Sequence, residues 1–268
     1  RQLMTLKGDG SYGISSCSIT DSPAFSWRAF MLDESRHFKG MEVVKKMLDQ
    51  MALLKMNVFH WHLTDDQGWR IEIKKYPLLT QTGAWRDKTQ LKYAPKDSAR
   101  VYYEYPHGGF YTQEQIKEIV EYAKSLHIMI VPEIEMPGHA TAAVAAYPWL
   151  SASAQPIKVT GDFGIFKPTY NVADQRVFTF LTDVLTEVMS LFPSGIIHIG
   201  GDEVKYDEWN ASEHVKEMMK REGLKSPSDV QVFFVNRLSG FFDKKGYRMM
   251  GWNEIMGKNI HEWSTEEN

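Results

Sequence analysis

Two adjacent carboxylates, Asp202 and Glu203, follow a short apolar run at 196–199 and two glycines. The run is rich in β-branched residues and predicts a buried strand, and the glycines allow the backbone to turn sharply at its carboxyl end. Side chains leave an extended backbone on alternating sides, so the two acids should reach different edges of a bound molecule. This spacing suits two carboxylates with two different jobs, although such a pair also commonly solvates a loop or caps a helix.

Other apolar runs of the chain also end in side chains that could do chemistry. These strand-end groups are Asp33, Asp65 with Asp66, Glu135 with His139, and Trp252. Carboxylates and an imidazole can move protons, and an aromatic face can stack against the apolar side of a sugar ring. The chemistry therefore depends on whether the fold brings these strand ends together.

The elements that must position these groups alternate along the chain. Apolar runs predict strands at 25–33, 57–63, 127–134, 196–199 and 248–252. Helical periodicity predicts helices at 40–56, 113–126, 177–191, 208–221 and 228–244. Two long polar insertions, 67–109 and 151–171, separate some of these elements, and insertions of this kind often shape a binding site. Pro132 weakens the third strand, because proline cannot donate to a sheet.

Alternating strands and helices predict a parallel sheet covered by helices, either a (β/α)8 barrel or an open doubly wound sheet. No glycine-rich phosphate loop follows the first strand, so the nucleotide-binding form of the open sheet lacks its signature. A barrel gathers all its strand ends at one mouth, where the polar groups would converge. The (β/α)8 barrel is therefore favoured.

The composition limits the classes of partner. The chain has 268 residues, 43% of them hydrophobic, with a formal net charge of -3, which fits one large domain. This near-neutral balance gives no electrostatic footprint for nucleic acid or for an anionic membrane surface, and no apolar run reaches transmembrane length. We therefore expect neither a nucleic-acid nor a membrane partner, and the oligomeric state is left open. Cys17, the only cysteine, excludes an internal disulfide.

Five strings, in this order, resemble the catalytic domain of glycoside hydrolase family 20, the β-N-acetylhexosaminidases. They are 27–38, 60–70 (His-Trp-His-Leu-Thr-Asp-Asp-Gln-Gly-Trp-Arg), 132–139 (Pro-Glu-Ile-Glu-Met-Pro-Gly-His), 198–203 (His-Ile-Gly-Gly-Asp-Glu) and 251–254 (Gly-Trp-Asn-Glu). The resemblance covers residues 21–255. It implies removal of terminal β-linked N-acetylglucosamine or N-acetylgalactosamine with retention of configuration, the substrate's own acetamide acting as nucleophile, as in the substrate-assisted exceptions among glycosidases.

The resemblance also implies roles for particular residues. Glu203 would protonate the leaving oxygen and later deprotonate water, which requires a partly desolvated, apolar setting. Asp202 would accept the acetamido N–H and offset the charge of the intermediate. Arg28, placed at the end of the first strand, would donate hydrogen bonds to ring hydroxyls. Asp65 and His139 would form a buried relay to Glu203.

The resemblance further predicts Trp252 as one wall of the sugar pocket, and makes Asp66 the less probable partner of His139. His60, His62 and His198 could suggest zinc, but it assigns them to packing. We therefore predict no metal and no cofactor, with a glycan that contains N-acetylhexosamine as the substrate. A secreted, periplasmic or lysosomal location follows from the resemblance alone.

The chain offers five strands where a (β/α)8 barrel needs eight. We therefore expect a barrel that is incomplete at its carboxyl-terminal end, spanning residues 21–268, after a 1–20 remnant of a preceding α/β domain or linker. We also expect this polypeptide to be a fragment of a longer enzyme. Two alternatives stay open: an inactive glycan-binding fragment, and a barrel hydrolase similar to family 18 chitinases. The adjacent pair Asp202 and Glu203 disfavours the second, which would space its carboxylates along a strand.

Overall fold

The computed structural model describes residues 3–95 and 98–261, and it begins with a small antiparallel hairpin. The hairpin consists of β1 (Thr5–Leu6) and β2 (Tyr12–Gly13), and it does not pair with the central sheet. The proposal that residues 1–20 are the remnant of a preceding domain or linker stays a prediction.

The remaining strands belong to the central sheet or to two short ribbons in the insertions. They are β3 (Ala29–Asp33), β4 (Val58–Asp65), β5 (Gly68–Trp69), β6 (Trp85–Arg86), β7 (Thr89–Gln90), β8 (Tyr102–Tyr103), β9 (His107–Gly108), β10 (Met129–Ile134), β11 (Ile196–His198) and β12 (Arg248–Met250).

The described helices mostly lie between consecutive strands of the central sheet. They are α1 (Met41–Leu53), α2 (Leu78–Gln81), α3 (Gln113–Ser125), α4 (Thr141–Ala146), α5 (Gln175–Leu191), α6 (Asp207–Ala211), α7 (Glu213–Glu222) and α8 (Pro227–Lys245), with short 3-10 segments at Pro148–Leu150 and Asn253–His261. None of these helices combines the length and the apolar character needed to cross a membrane.

Five parallel strands pair in the order β3, β4, β10, β11, β12, which is their order along the chain. A doubly wound sheet reverses its strand order at a switch point, whereas a (β/α)8 barrel adds each strand beside the previous one. The strict chain order therefore confirms the barrel class. Within the described residues β3 and β12 do not pair with each other, so the barrel is incomplete there, as expected.

The predicted boundaries differ from the observed ones where capping or pairing decides. The predicted helix over 208–221 is two helices, because Ser212 has an extended backbone and its hydroxyl accepts the N–H of Val215 to cap α7. The first strand begins only at Ala29, opposite Val58. Pro132 lies inside β10 opposite Trp61, and its expected weakening of that strand does not prevent pairing.

The side chains of β4 divide between an apolar layer and a polar interior. Phe59, Trp61 and Leu63 are fully buried in the hydrophobic core that the helices cover. The alternating residues His60 and His62 point to the other face of the strand, where both meet the buried Glu133 of β10 and His60 packs against His198 of β11. The ionisable side chains therefore lie on the inner face of the sheet, opposite the face that the helices cover.

Candidate active site

A tight turn after β11 carries the two adjacent carboxylates. Gly200 and Gly201 have φ angles of 65° and 91°, and Glu203 has a φ of 51°, so the chain passes through the left-handed region three times within four residues. A Cβ atom at Gly200 would overlap the carboxylate of Glu135 on the neighbouring strand end. Glycine is thus required at position 200 both by backbone conformation and by the close approach of β10.

His139 lies between the carboxylates of the turn and those of β4. Its Nε2 is 3.7 Å from Asp202 Oδ2 and 3.6 Å from Glu203 Oε2. Its Nδ1 is 2.9 Å from Asp66 Oδ2 and 3.2 Å from Asp65 Oδ1. The structure therefore brings Asp65, His139 and both acids of the turn into one cluster, although they come from three different strand ends.

Both aspartates after β4 contact His139, and this corrects the prediction that Asp66 is the less probable partner. Asp66 makes the shorter contact with the imidazole, and its Oδ1 accepts the backbone N–H of Thr141 at 3.0 Å as well as the hydroxyl of that residue. Asp65 instead connects the cluster to other cations, because its Oδ2 lies 3.2 Å from His62 Nε2 and 2.7 Å from Arg36 Nη2. The two neighbours therefore serve different sides of the site.

The two aspartates hold His139 in its charged form. Burial opposes a charge on the imidazole, but hydrogen bonds and charges from Asp65 and Asp66 outweigh it and raise the pKa of His139 to about 11. Burial also opposes ionisation of Asp65, yet His139, His62 and Arg36 hold the pKa of Asp65 well below its ordinary value. At neutral pH an imidazolium therefore faces the two carboxylates of the turn.

Both acids of the turn are open to a ligand, but to different extents. The side chain of Asp202 is 24% exposed and that of Glu203 is 45% exposed. Partial burial raises the pKa of Asp202, and the charge of His139 opposes this rise. The partly desolvated, apolar setting expected for Glu203 stays a prediction, and with 45% of its side chain exposed this carboxylate is only partly covered by the described residues.

Arg28 lies at the wrong end of the sheet for the predicted role. Its backbone carbonyl accepts the N–H groups of Asn57 and Val58, where β4 begins, and β3 starts one residue later. Its guanidinium donates to the carbonyls of Phe25 and Lys55 at 2.5 and 2.6 Å. The five residues of β3 span about 16 Å, so Arg28 is separated from the carboxyl ends of the strands by the length of the sheet.

Arg36 is the guanidinium that the strand-end site does contain. It follows β3 and contacts Asp65 at 2.7 Å, Asp33 at 3.1 Å and Gln67 at 3.0 Å, with 38% of its side chain exposed. The rule that functional groups follow the carboxyl ends of barrel strands would have selected it, since Arg36 comes after the strand and Arg28 comes before it.

Trp252 follows β12 and shares a buried carboxylate with the histidines of the barrel interior. Its indole Nε1 donates a hydrogen bond of 2.9 Å to Glu133, a residue that the sequence did not single out as functional. Glu133 also lies 2.8 Å from His60 Nε2 and 2.9 Å from His198 Nδ1. Burial raises the pKa of Glu133, but its histidine neighbours overcome this and hold it well below the ordinary value.

These contacts correct the assignment of the three histidines to packing, because they are polar partners of carboxylates. They also bear on metal binding. In the described part of the chain, four groups of His, Asp and Glu place one ligand atom each within 4.8 Å of one another, including His60 with Glu133 and His198. Glu133 Oε1 in that group already accepts the indole N–H, whereas Glu133 Oε2 and His60 Nε2, which lie 2.8 Å apart, have no hydrogen-bond partner among the described residues. The absence of a metal stays a prediction.

Chain-ordered parallel strands with carboxylates and an imidazolium gathered at their carboxyl ends place the protein among the (β/α) barrels that carry a site at this face. The comparison with known families makes the placement specific. The chain belongs to glycosyl hydrolase family 20, whose catalytic-domain model matches residues 25–267.

Relatives and solved structures agree with this membership. The chain is 45% identical to a β-hexosaminidase of Porphyromonas gingivalis over 241 residues, which is 89% of this chain and 29% of that protein. It is 39% identical to a β-hexosaminidase of Vibrio furnissii, covering 93% of this chain and 41% of that one. The structure of the β-N-acetylhexosaminidase from Bacteroides fragilis superposes with a TM-score of 0.80 at 37% identity, covering 95% of this chain and 47% of that one.

A second solved structure carries a sugar. The exo β-N-acetylglucosaminidase from Vibrio harveyi in complex with N-acetylglucosamine superposes with a TM-score of 0.79 at 37% identity, covering 97% of this chain and 40% of that one. The chain spans less than half the length of these four similar proteins.

Proposed function

We propose that the protein containing this domain hydrolyses terminal β-linked N-acetylhexosamine from glycans, and that the acetamide of the substrate acts as the nucleophile. The observation that carries the proposal is the position of His139 Nε2, 3.7 Å from Asp202 and 3.6 Å from Glu203 at the open face of the sheet. One imidazolium can thus interact with two adjacent carboxylates that differ in exposure and in their proposed roles.

In this mechanism Asp202 handles the acetamide. Its carboxylate accepts the acetamido N–H, which turns the carbonyl oxygen of that group towards C1 of the sugar. The C1–O bond to the leaving group breaks as the carbonyl oxygen bonds to C1, and a positively charged ring forms. The negative charge of Asp202 beside this ring stabilises it.

Glu203 moves the protons of the same reaction. It donates a proton to the leaving oxygen as the glycosidic bond breaks, and it then removes a proton from the water that attacks C1 and reopens the ring. Two displacements at C1 retain the configuration. His139 lies within charge contact of both acids, so it orients the pair, while Asp65 and Asp66 keep it protonated.

Two further groups complete the proposed sugar pocket. Arg36, rather than Arg28, is the guanidinium placed to donate to ring hydroxyls, because it lies beside Asp65 and is partly exposed. Trp252 is 36% exposed and has its N–H fixed by Glu133, which leaves an aromatic surface available to the apolar face of the ring. We take the substrate to be uncharged.

The natural-length protein that contains this domain tests the proposal with an aryl β-N-acetylglucosaminide. Glu203→Gln should lower kcat by about 10²–10⁴-fold and Asp202→Asn by about 10²–10³-fold, as for other general acids and charge-stabilising groups. Glu213→Gln, at the exposed start of α7, is the matched control and should change nothing. Turnover by Glu203→Gln at the wild-type rate would contradict the assignment of Glu203 as the general acid and base. Tight binding of a thiazoline mimic of the intermediate with no turnover would favour the glycan-binding alternative.

A further inference from the structure

The backbone polar groups of the glycine turn after β11 are each held by a hydrogen bond. The N–H of Gly200 donates to His198 Nδ1 at 3.0 Å, and the carbonyl of Gly200 accepts the N–H of Trp252 at 2.9 Å. The N–H of Gly201 donates to the buried carboxylate of Glu135 at 3.4 Å. These partners belong to strands of the barrel or to the segments that directly follow them. The remaining group, the carbonyl of Gly201, is held by a helix.

The carbonyl of Gly201 accepts a hydrogen bond from Gln231, a residue of helix α8. The distance from Gln231 Nε2 to the carbonyl oxygen is 2.7 Å, and the residue is only 2% exposed. The same Nε2 lies 3.3 Å from the carbonyl oxygen of Glu254, two residues beyond Trp252. One buried amide thus joins the turn that carries the two acids to the segment that carries the proposed wall of the sugar pocket.

Tyr206 determines which way the amide of Gln231 points. Its hydroxyl donates to Gln231 Oε1 at 2.6 Å, so Oε1 is the acceptor and Nε2 is the donor. Tyr206 comes three positions after the acid pair of Asp202 and Glu203, and Gly201 comes directly before it. Gln231 therefore holds the chain on both sides of the acid pair.

Helix α8 gives Gln231 a rigid base. The side chain of Ser226 accepts the N–H of Asp229, and the side chain of Asp229 accepts the N–H of Ser226, so the start of the helix is capped in both directions. Val230 and Phe234 of the same helix are buried in the hydrophobic core. A buried side chain on a closely packed helix has little room to move, so the amide of Gln231 can act as a fixed support.

The turn needs such a support because its backbone conformation is unfavourable. Glu203 is not a glycine, yet it has a φ angle of 51°, and such conformations persist only where surrounding contacts hold them. The peptide group between Gly201 and Asp202 is planar, so the hydrogen bond that fixes its carbonyl also fixes the direction in which the chain enters Asp202. A misplacement of about 1 Å in a group that acts on the reacting atoms can lower the rate by about 10²-fold.

We propose that Gln231 is a positioning residue for the acid pair: through the carbonyl of Gly201 and the hydroxyl of Tyr206, it holds Asp202 in the orientation that receives the acetamide of the substrate. The inference rests on the proposed function. Both polar atoms of the Gln231 amide are engaged by protein groups, so it acts on the reaction through the turn and without contacting the substrate. Its loss should therefore affect kcat more than KM.

Steady-state kinetics of the natural-length protein with an aryl β-N-acetylglucosaminide tests the inference. Gln231→Met removes the amide at nearly constant volume and should lower kcat about tenfold or more, with KM changed by less than about threefold. Tyr206→Phe keeps the ring that stacks on Trp209 and removes only the hydroxyl, so kcat should fall by about three- to tenfold. Gln50→Met, at an exposed position of α1, is the matched control and should leave both constants within about twofold.

Two further measurements distinguish positioning of Asp202 from a general loss of stability. In an Asp202→Asn background, Gln231→Met should lower kcat by less than about threefold, because the carboxylate that Gln231 positions is already absent. Gln231→Met should also weaken binding of the thiazoline mimic of the intermediate about tenfold more than binding of N-acetylglucosamine, because the orientation of Asp202 matters most for the intermediate.

Three outcomes would overturn the inference: a kcat of Gln231→Met within about threefold of wild type, an equal loss of kcat in the Asp202→Asn background, or equal weakening of both ligands. Circular dichroism shows whether Gln231→Met folds. If it does not, Tyr206→Phe decides by the same background comparison and the same two ligands. Failure of the proposed function is distinguishable, because wild type would then neither cleave the glycoside nor bind the thiazoline mimic.

Discussion

The indole Nε1 of Trp252 donates a hydrogen bond of 2.9 Å to the buried carboxylate of Glu133. The two residues are 119 positions apart, and they join the end of β12 to the middle of the barrel. His198 packs edge-on against the same indole, with ring centroids 4.8 Å apart. Glu133 thus holds the indole of Trp252, which forms the wall of the proposed pocket, without having to contact the substrate itself.

We predict that Glu133 acts as a positioning residue for Trp252. Glu133→Gln removes the charge that holds the indole and the histidines. KM for an aryl N-acetylglucosaminide should therefore rise about tenfold, with a smaller change in kcat. A change of about tenfold corresponds to the loss of roughly one hydrogen bond to a charged group. Steady-state kinetics would measure this. Repeating the change in a Trp252→Phe background, which has no indole N–H, should nearly abolish the effect on KM. An equal effect in both backgrounds would contradict the role, and exposed Glu114→Gln is the control.

The two arginines around β3 give a paired prediction. Arg36→Lys replaces the planar donor fork beside Asp65 by a single point charge, and kcat/KM should fall by about 10²-fold or more. Arg28→Lys, at the amino end of the sheet, should change kcat/KM by less than about threefold, because the guanidinium of Arg28 donates to the backbone carbonyls of Phe25 and Lys55 and lies away from the proposed site. If Arg28→Lys were the more damaging of the two, the assignment of the sugar-binding guanidinium would be wrong.

Two glycines of the chain test the backbone requirement at the turn. Gly200→Ala should destabilise the protein by about 2 kcal/mol or more, because its φ is 65° and a Cβ would overlap Glu135. Gly240→Ala lies in α8 with open space around the new atom, and should stabilise by about 0.5–1 kcal/mol. Denaturant unfolding of both variants measures the difference. Equal stability of the two variants would show that the turn after β11 tolerates a side chain.

The charge on His139 should make stability depend on pH over a defined window. Its pKa is raised from an ordinary 6.5 to about 11 in the folded state, so folding favours the protonated form. The stabilisation is complete below about pH 6.5 and is lost as the pH rises towards 11. His139→Gln, which leaves Asp65 and Asp66 without their cation, should lower the free energy of unfolding by roughly 3–5 kcal/mol at pH 6.

The difference in the free energy of unfolding between wild type and His139→Gln should then become smaller as the pH rises from 6.5 to about 11. Denaturant unfolding at several pH values measures this difference. His127→Gln, in the loop before β10, is the comparison variant for the loss of an imidazole elsewhere in the chain. A constant gap across this window would mean that the contribution of His139 does not come from its charge.

The sequence by itself determined the alternation of strands and helices, the family and the adjacent pair Asp202 and Glu203. Period and composition are local properties, and the motifs occur in a fixed order along the chain. The same local information also marks Trp252 and His139 as strand-end groups. It left the alternatives of barrel and open sheet to be weighed, because both are built from the same units.

Only the tertiary structure decided which polar groups meet. Arg28 and Arg36 lie eight positions apart in the sequence, but a strand of five residues separates the ends of the sheet at which they stand. Asp66 rather than Asp65 makes the shorter contact with His139, and Glu133 fixes Trp252 from across the barrel. These contacts join residues from different strands, and their distances depend on register and side-chain direction, which no single segment of the sequence encodes.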